Sequence, residues 1–178
     1  MRSSFAILFV VLVLLTSCTS VPVKEYSEET PVLDLRRYFD GTIDGWGMFQ
    51  DRSGKVLKRF QVRIDATWNG NVGTLDEHFV WSDGKKTQRV WTITAVDEHH
   101  YTGTAADVLG IARGDAYGNA LRWRYVLNLE VEDGKTYEVD FDDWMYLIDD
   151  RTMLNRSFMS KFGFELGQVT LSFTRRGT

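Results

Sequence analysis

The chain has 178 residues, a formal net charge of −4, one cysteine and 13% aromatic residues, six of them tryptophan. That length suits one domain behind a short leader. A single cysteine excludes an internal disulfide framework, and an acidic balance with no long basic run argues against a nucleic-acid partner.

The chain opens with one cation, Arg2, then an apolar run from Phe5 to Leu15, then Thr16 and Ser17 before Cys18. This is signal-peptide anatomy over residues 1–17. The run is shorter than the ~20 residues a membrane-crossing helix needs. Leu15-Thr16-Ser17-Cys18 has the order of a lipobox: an aliphatic residue, two small ones, then cysteine. Cleavage before Cys18 and lipidation of its thiol are therefore expected, with more than one acyl chain giving a stable membrane anchor. The likeness to lipobox proteins implies a sorting rule in which an aspartate at position 19 favours inner-membrane retention, so Thr19 leans toward the outer membrane, where the domain is expected on the periplasmic face. Residues 18–31 are polar and hold both prolines, Pro22 and Pro31. They read as the lipidated cysteine and a flexible tether. Residues 32–178 read as the globular domain.

Within that domain the dominant signal is period-two alternation, the mark of half-buried strands. Phe60, Val62, Ile64, Ala66 and Trp68 alternate with polar residues; Leu121, Trp123, Tyr125, Leu127 and Leu129 do the same, and so do Val169, Leu171 and Phe173. Turn signals separate the runs: Ser53-Gly54, Asn69-Gly70, Asp83-Gly84, Tyr117-Gly118 and Asp133-Gly134. Such pairs tolerate the positive φ of tight hairpins. About eight to ten strands with one apolar face each hide that face best by closing on themselves, which also removes exposed strand edges. An all-β, antiparallel up-and-down barrel is expected. Asp150 to Phe162 breaks the alternation and reads as a short helical or irregular segment near the C-terminus.

Gly45-Trp46 near the start of the first strand is similar to lipocalins, whose pattern places one residue between the glycine and the tryptophan. The mature chain as a whole resembles a family of uncharacterised proteobacterial outer-membrane lipoproteins. The likeness is carried by Phe39-Asp40-Gly41, Gly45-Trp46-Gly47, Arg89-Val90-Trp91, Asp142-Asp143-Trp144-Met145, Leu154-Asn155-Arg156-Ser157 and Lys161-Phe162-Gly163. The resemblance implies a lipocalin-like barrel, an envelope location and a connection to membrane-lipid modification. It carries over no catalytic residue.

Glu77 lies on the same face as Leu75, Phe79 and Trp81, and Arg89 on the same face as Trp91 and Ile93. The Asp83-Gly84-Lys85 loop keeps the two sets on one side, so Glu77 meets Arg89 inside the barrel. The pair reads either as a structural ion pair or as a polar anchor in which Arg89 grips a ligand carboxylate or phosphate. Asp143 follows Tyr137, Val139 and Phe141 inward, while Asp142 faces out, so the two cannot act as a paired acid and base. Asp143 is expected to pair with Arg156 or Lys161. Asn155 and Arg156 read as a pocket mouth or as a strand tie. Trp46, Trp68, Trp81, Trp91 and Trp123 are expected inside, with Tyr125. His78, His99 and His100 are poorly spaced for a metal, and no nucleophile elbow or phosphate loop is present. No cofactor is expected. The reading is a membrane-anchored carrier of a lipid or fatty acid, with a non-enzymatic assembly lipoprotein as the alternative and an accessory to lipid modification third.

Overall fold

The computed structural model describes residues 21–130 and 134–177. Cys18, its lipobox and the leader lie outside the described residues.

Ten strands are found among the described residues: β1 (Gly41–Asp51), β2 (Val56–Asn69), β3 (Val72–Trp81), β4 (Lys86–Ala95), β5 (His100–Thr104), β6 (Val108–Tyr117), β7 (Ala120–Glu130), β8 (Thr136–Leu147), β9 (Thr152–Lys161) and β10 (Phe164–Arg175). Each pairs antiparallel with its neighbours in sequence, and β1 pairs with β10, so the sheet closes as an up-and-down barrel. Closure leaves no free outer strand among the described residues, although β5 pairs with β4 only from Thr92 to Ala95 and so leaves residues 86–91 of β4 paired on one side alone. The alternation read from sequence sets the faces. Phe60, Val62, Ile64 and Ala66 are buried inside β2, and Leu121, Trp123 and Leu127 inside β7. Gly54, Gly70, Gly84, Gly118 and Gly134 all adopt positive φ in the hairpin turns where the sequence placed them.

The two ends of the barrel differ. The turns that precede β2, β4, β6, β8 and β10 gather at one end, the mouth. At the other end the chain entering β1 forms a floor: a single helical turn, α1 (Leu35–Tyr38), capped by Asp34, whose carboxylate accepts from Arg36 N at 2.9 Å. Leu35, Tyr38 and Phe39 are almost fully buried. Trp68 Nε1 donates to Phe39 O at 2.8 Å and the Tyr38 hydroxyl donates to Arg151 O at 3.0 Å, fixing the plug to the wall.

Three expectations are corrected. Residues 152–161 form strand β9 and not a helical or irregular segment. Its inward side chains are Met153, Asn155, Ser157 and Met159, so polar groups occupy core positions and erase the apolar alternation. The stretch read as a flexible tether packs on the wall from Pro22 onward: Val23–Tyr26 forms a 3-10 turn, Val23 is buried with Ala120 and Trp144, and Tyr26 meets the Trp144 and Tyr146 rings. Trp46 points out of the barrel, 51% exposed. The inward positions of β1 around it are Gly45 and Gly47, where a Cβ would collide with Val62 and Phe60. Small residues there let the bulky residues of β2 fill the interior.

Candidate ligand-binding site

The interior holds two aromatic groups with a layer of polar side chains between opposite walls. On the mouth side Phe49, Phe60, Phe79 and Trp81 pack together; Phe79 and Trp81 stack at 5.7 Å and 16°. Across the barrel Trp91 meets Trp123 and Tyr125 edge-on at 5.7 and 5.4 Å, and Tyr125 stacks on Phe141 at 5.1 Å. Glycines seat the largest ring: a Cβ at Gly103 would lie 2.6 Å from Trp123, and one at Gly114 would overlap it. Phe49, Phe79, Trp81 and Tyr125 face inward yet are only half-buried, so the interior surface toward the mouth is reachable by solvent.

The strand register brings Glu77 opposite Arg89, as the alternation requires. Their closest approach is 3.9 Å. The stronger partner of Arg89 is Asp107, from the β5–β6 turn. Arg89 Nε donates to both Asp107 oxygens at 3.0 and 2.9 Å, and Nη2 donates to Oδ2 at 2.7 Å. Burial opposes the Arg89 charge, but the fields of Glu77, Tyr125 and Asp107 outweigh it and raise its pKa. The guanidinium fork is thus already occupied by a carboxylate. Strand alternation could not reveal Asp107, because a turn residue carries no facing signal.

Asp143 is buried on β8 beside Ser157 of β9, its register partner. Burial raises its pKa to about 7, against the opposing pull of Ser157, Arg89 and Tyr125. Burial likewise raises Glu77 to about 7, against Arg89 and with help from Asp107 and Asp143. Tyr125 is pushed well above its ordinary value by burial and by Asp143 and stays neutral. Asp143 Oδ1 and Ser157 Oγ have no hydrogen-bond partner of good geometry among the described residues. Asn155, also buried, donates to Trp144 O at 3.4 Å.

Of the expected site residues, Glu77, Arg89, Trp91, Trp123, Tyr125, Asp143 and Asn155 share this interior. Arg156 does not. It lies on the outer wall over Phe158, 4.6 Å from the ring centroid, and donates to Gln168 at 3.0 Å. Lys161 donates to Glu138 O. Neither pairs with Asp143, because on β9 the even positions face out while Lys161 stands at the end of the strand. His78 sits outside beside Asp76, His99 stacks on Tyr117 at 4.2 Å, and His100 bonds Asp97. Among the described residues no cluster of three His, Cys, Asp or Glu side chains is arranged to hold a metal, and no helix is long and apolar enough to cross a membrane.

A family described as a protein of unknown function, DUF3833, matches residues 12–175. No curated protein matches the chain. Among solved structures, the S-type phycobiliprotein lyase CPES from Guillardia theta is similar with a TM-score of 0.58 and 6% identity, over 78% of this chain and 89% of that one. A de novo designed fluorescence-activating β-barrel aligns with a TM-score of 0.44 and 13% identity, over 81% of this chain and 99% of that one. At such identity the first likeness establishes the barrel fold alone, and the second carries no weight.

Proposed function

The chain belongs to the DUF3833 family of proteins of unknown function, and we propose that it binds a small amphiphilic ligand inside the barrel, the ligand's polar group meeting Asp143 and Ser157 and its apolar part the surrounding rings. In this reading Cys18 carries lipid and holds the protein at the outer membrane.

One observation carries the binding proposal. Two buried polar atoms, Asp143 Oδ1 and Ser157 Oγ, have no hydrogen-bond partner of good geometry among the described residues, and the weak contacts of Asp143 with Ser157 and Tyr125 leave its pKa at about 7, inside an aromatic barrel whose interior is reachable from one end. An unsatisfied buried polar group costs about 1–3 kcal/mol. A purely structural core would place an apolar side chain there, whereas a ligand hydroxyl, amide or amine satisfies both atoms. The same layer argues about ligand charge. Three carboxyl groups, Glu77, Asp107 and Asp143, face one guanidinium, and that guanidinium is held by Asp107. A carboxylate head group meets repulsion there, so a neutral or cationic head group fits better than a fatty acid.

Quenching of interior tryptophan fluorescence tests this, using three probes of equal chain length at pH 8: a monoacylglycerol, an alkylamine and a fatty acid. The monoacylglycerol or the amine should bind, and the fatty acid should bind weakest. Asp143→Asn combined with Ser157→Ala should lower affinity about tenfold, the loss of a hydrogen bond or two. Preference for the fatty acid sinks the head-group assignment, and no binding by any probe sinks the carrier reading.

The assembly-lipoprotein reading keeps one specific observation. Trp46, Met48, Val80 and Leu154 border an open groove on the outer wall, a surface of the kind that contacts a protein.

A further inference from the structure

The sector of the mouth formed by the β1–β2, β3–β4 and β9–β10 turns carries side chains that a barrel has no structural use for. Phe162 is 86% exposed, Phe164 76% and Leu57 59%; Val56 and Leu166 are exposed beside them. The pairing of Asp51 with Gly167 puts the first and last of these turns side by side. Phe162 also occupies the first position of a two-residue hairpin tip at φ 52°, followed by Gly163 at φ 79°. Asn-Gly suits such a tip, and a bulky aromatic residue at positive φ is strained. The ring gains no burial in return. Strain held at an exposed position points from structure to function.

Cations surround these rings. Arg52, Lys55, Lys58, Lys85, Lys86 and Lys161 stand in this sector against Asp51, Asp83 and Glu165. Asp51 is turned into its own loop, accepting from Ser53 N and Lys55 N, and Asp83 is bonded to Lys58. Arg52, Lys85 and Lys86 make no ion pair among the described residues. The Lys161 ammonium lies 5.2 Å from the Phe162 ring centroid. This basic sector belongs to a chain whose net charge is −4, and Asp107, Glu130 and Glu138 stand on the other side of the mouth, so the positive charge is confined to this sector.

We infer that this rim docks on an anionic lipid surface, Phe162, Phe164 and Leu57 entering the headgroup region while the lysines and Arg52 meet acidic headgroups. Apolar side chains interleaved with cations are the chemistry of interfacial binding. The surface is distinct from the interior site and stands whatever the barrel binds. It also lies at the end opposite the floor, whereas the docked Val23–Tyr26 turn runs to Gly118 and Leu33 on the floor side.

The test uses the full chain with its only cysteine replaced, Cys18→Ser, and a new cysteine at Glu165 or, as the distant control, at Glu98. Each carries an environment-sensitive fluorophore. Vesicles of phosphatidylethanolamine with phosphatidylglycerol should shift the label at 165 to the blue and leave the label at 98 unchanged. Pure phosphatidylcholine should leave both unchanged, and 0.5 M salt should weaken the response by screening. Phe162→Asn improves the hairpin tip, so it should raise the urea midpoint while lowering vesicle affinity about tenfold, as expected for a lost buried ring. No response at 165, an equal response at both labels, an equal response to neutral vesicles, or full affinity in Phe162→Asn each overturns the proposal.

Discussion

Arg89 and Asp107 form a two-pronged ion pair near the mouth, Nε and Nη2 of the arginine both donating to Oδ2 at 2.9 and 2.7 Å, while Glu77 stands 3.9 Å from the same guanidinium. One cation thus serves two carboxyl groups of unlike environment. The Asp107 side chain is 39% exposed and water shares in its charge; the Glu77 side chain is 13% exposed and depends on Arg89.

Arg89→Met should destabilise the barrel by about 1–3 kcal/mol, less than a fully buried pair would lose because Asp107 reaches solvent and Glu77 can take a proton. Glu77→Gln should cost less than about 1 kcal/mol, or stabilise at pH 8, since it removes an acid that burial already disfavours. Urea unfolding of the two single variants and the double variant measures the coupling. A larger loss for Glu77→Gln than for Arg89→Met would show that Glu77, and not Asp107, is the main partner.

The pH dependence has a definite sign. Glu77 and Asp143 sit at about 7 in the fold, above the ordinary 4.5 and 3.8. Between about pH 4 and 7 the folded chain therefore binds more protons than the unfolded one. The stability held by these neutral acids is present near pH 4 and falls as pH rises through 7. Asp143→Asn removes one of them. Its stability relative to the unsubstituted protein should rise from pH 4 to pH 8, by on the order of 3 kcal/mol. The exposed turn acids with lowered values, such as Asp97 and Asp149, contribute equally to both proteins and drop out of the difference. A difference that stays flat across that range would place the proton elsewhere.

How far the fold could be read from sequence depended on what each strand buries. β2 buries Phe60, Val62 and Ile64, so its period was plain; β9 buries Asn155 and Ser157, so it looked irregular. The failure falls where polar side chains build the interior site, and local rules are broken most often at functional positions. Glu77, Arg89 and Asp143 were legible because alternation fixes facing. Asp107 was not, because its pairing with Arg89 is set by the reach of a turn. Trp46 was misread because size alone does not choose a face: two flanking glycines gave the inside of β1 to its neighbours.

Glycines elsewhere in the wall make a packing prediction. Gly103 and Gly114 form the seat of Trp123, which is 4% exposed. Gly114→Ala places a methyl group in the ring and should cost about 1–3 kcal/mol, as overpacking does. Adding Trp123→Phe to Gly114→Ala should recover part of that loss, since the smaller ring leaves room for the methyl. Thermal unfolding of the two single variants and the double variant checks this, and strictly additive losses would show that the two positions do not share a seat.

The N-terminal clamp gives the last prediction. Val23 is 8% exposed, packed with Ala120 and Trp144, while Gly118 lies so close to Tyr26 O that any Cβ there would overlap it. Leu33 N donates to Gly118 O at 2.8 Å, tying the same segment down a second time. Gly118 also has φ 52°, so both space and backbone conformation demand glycine. Val23→Asp buries a charge against Trp144 and should release the segment without opening the closed barrel. Trypsin should then cut after Lys24 at least about tenfold faster, because proteolysis follows the population of the opened segment. The global unfolding midpoint should move little, since the strand ladder of the barrel does not include this segment. Gly118→Ala should release the segment too and also lower global stability, by about 1–2 kcal/mol, because it strains the β6–β7 hairpin itself. Cleavage after Lys24 that is already fast in the unsubstituted protein would mean that the clamp does not hold in solution.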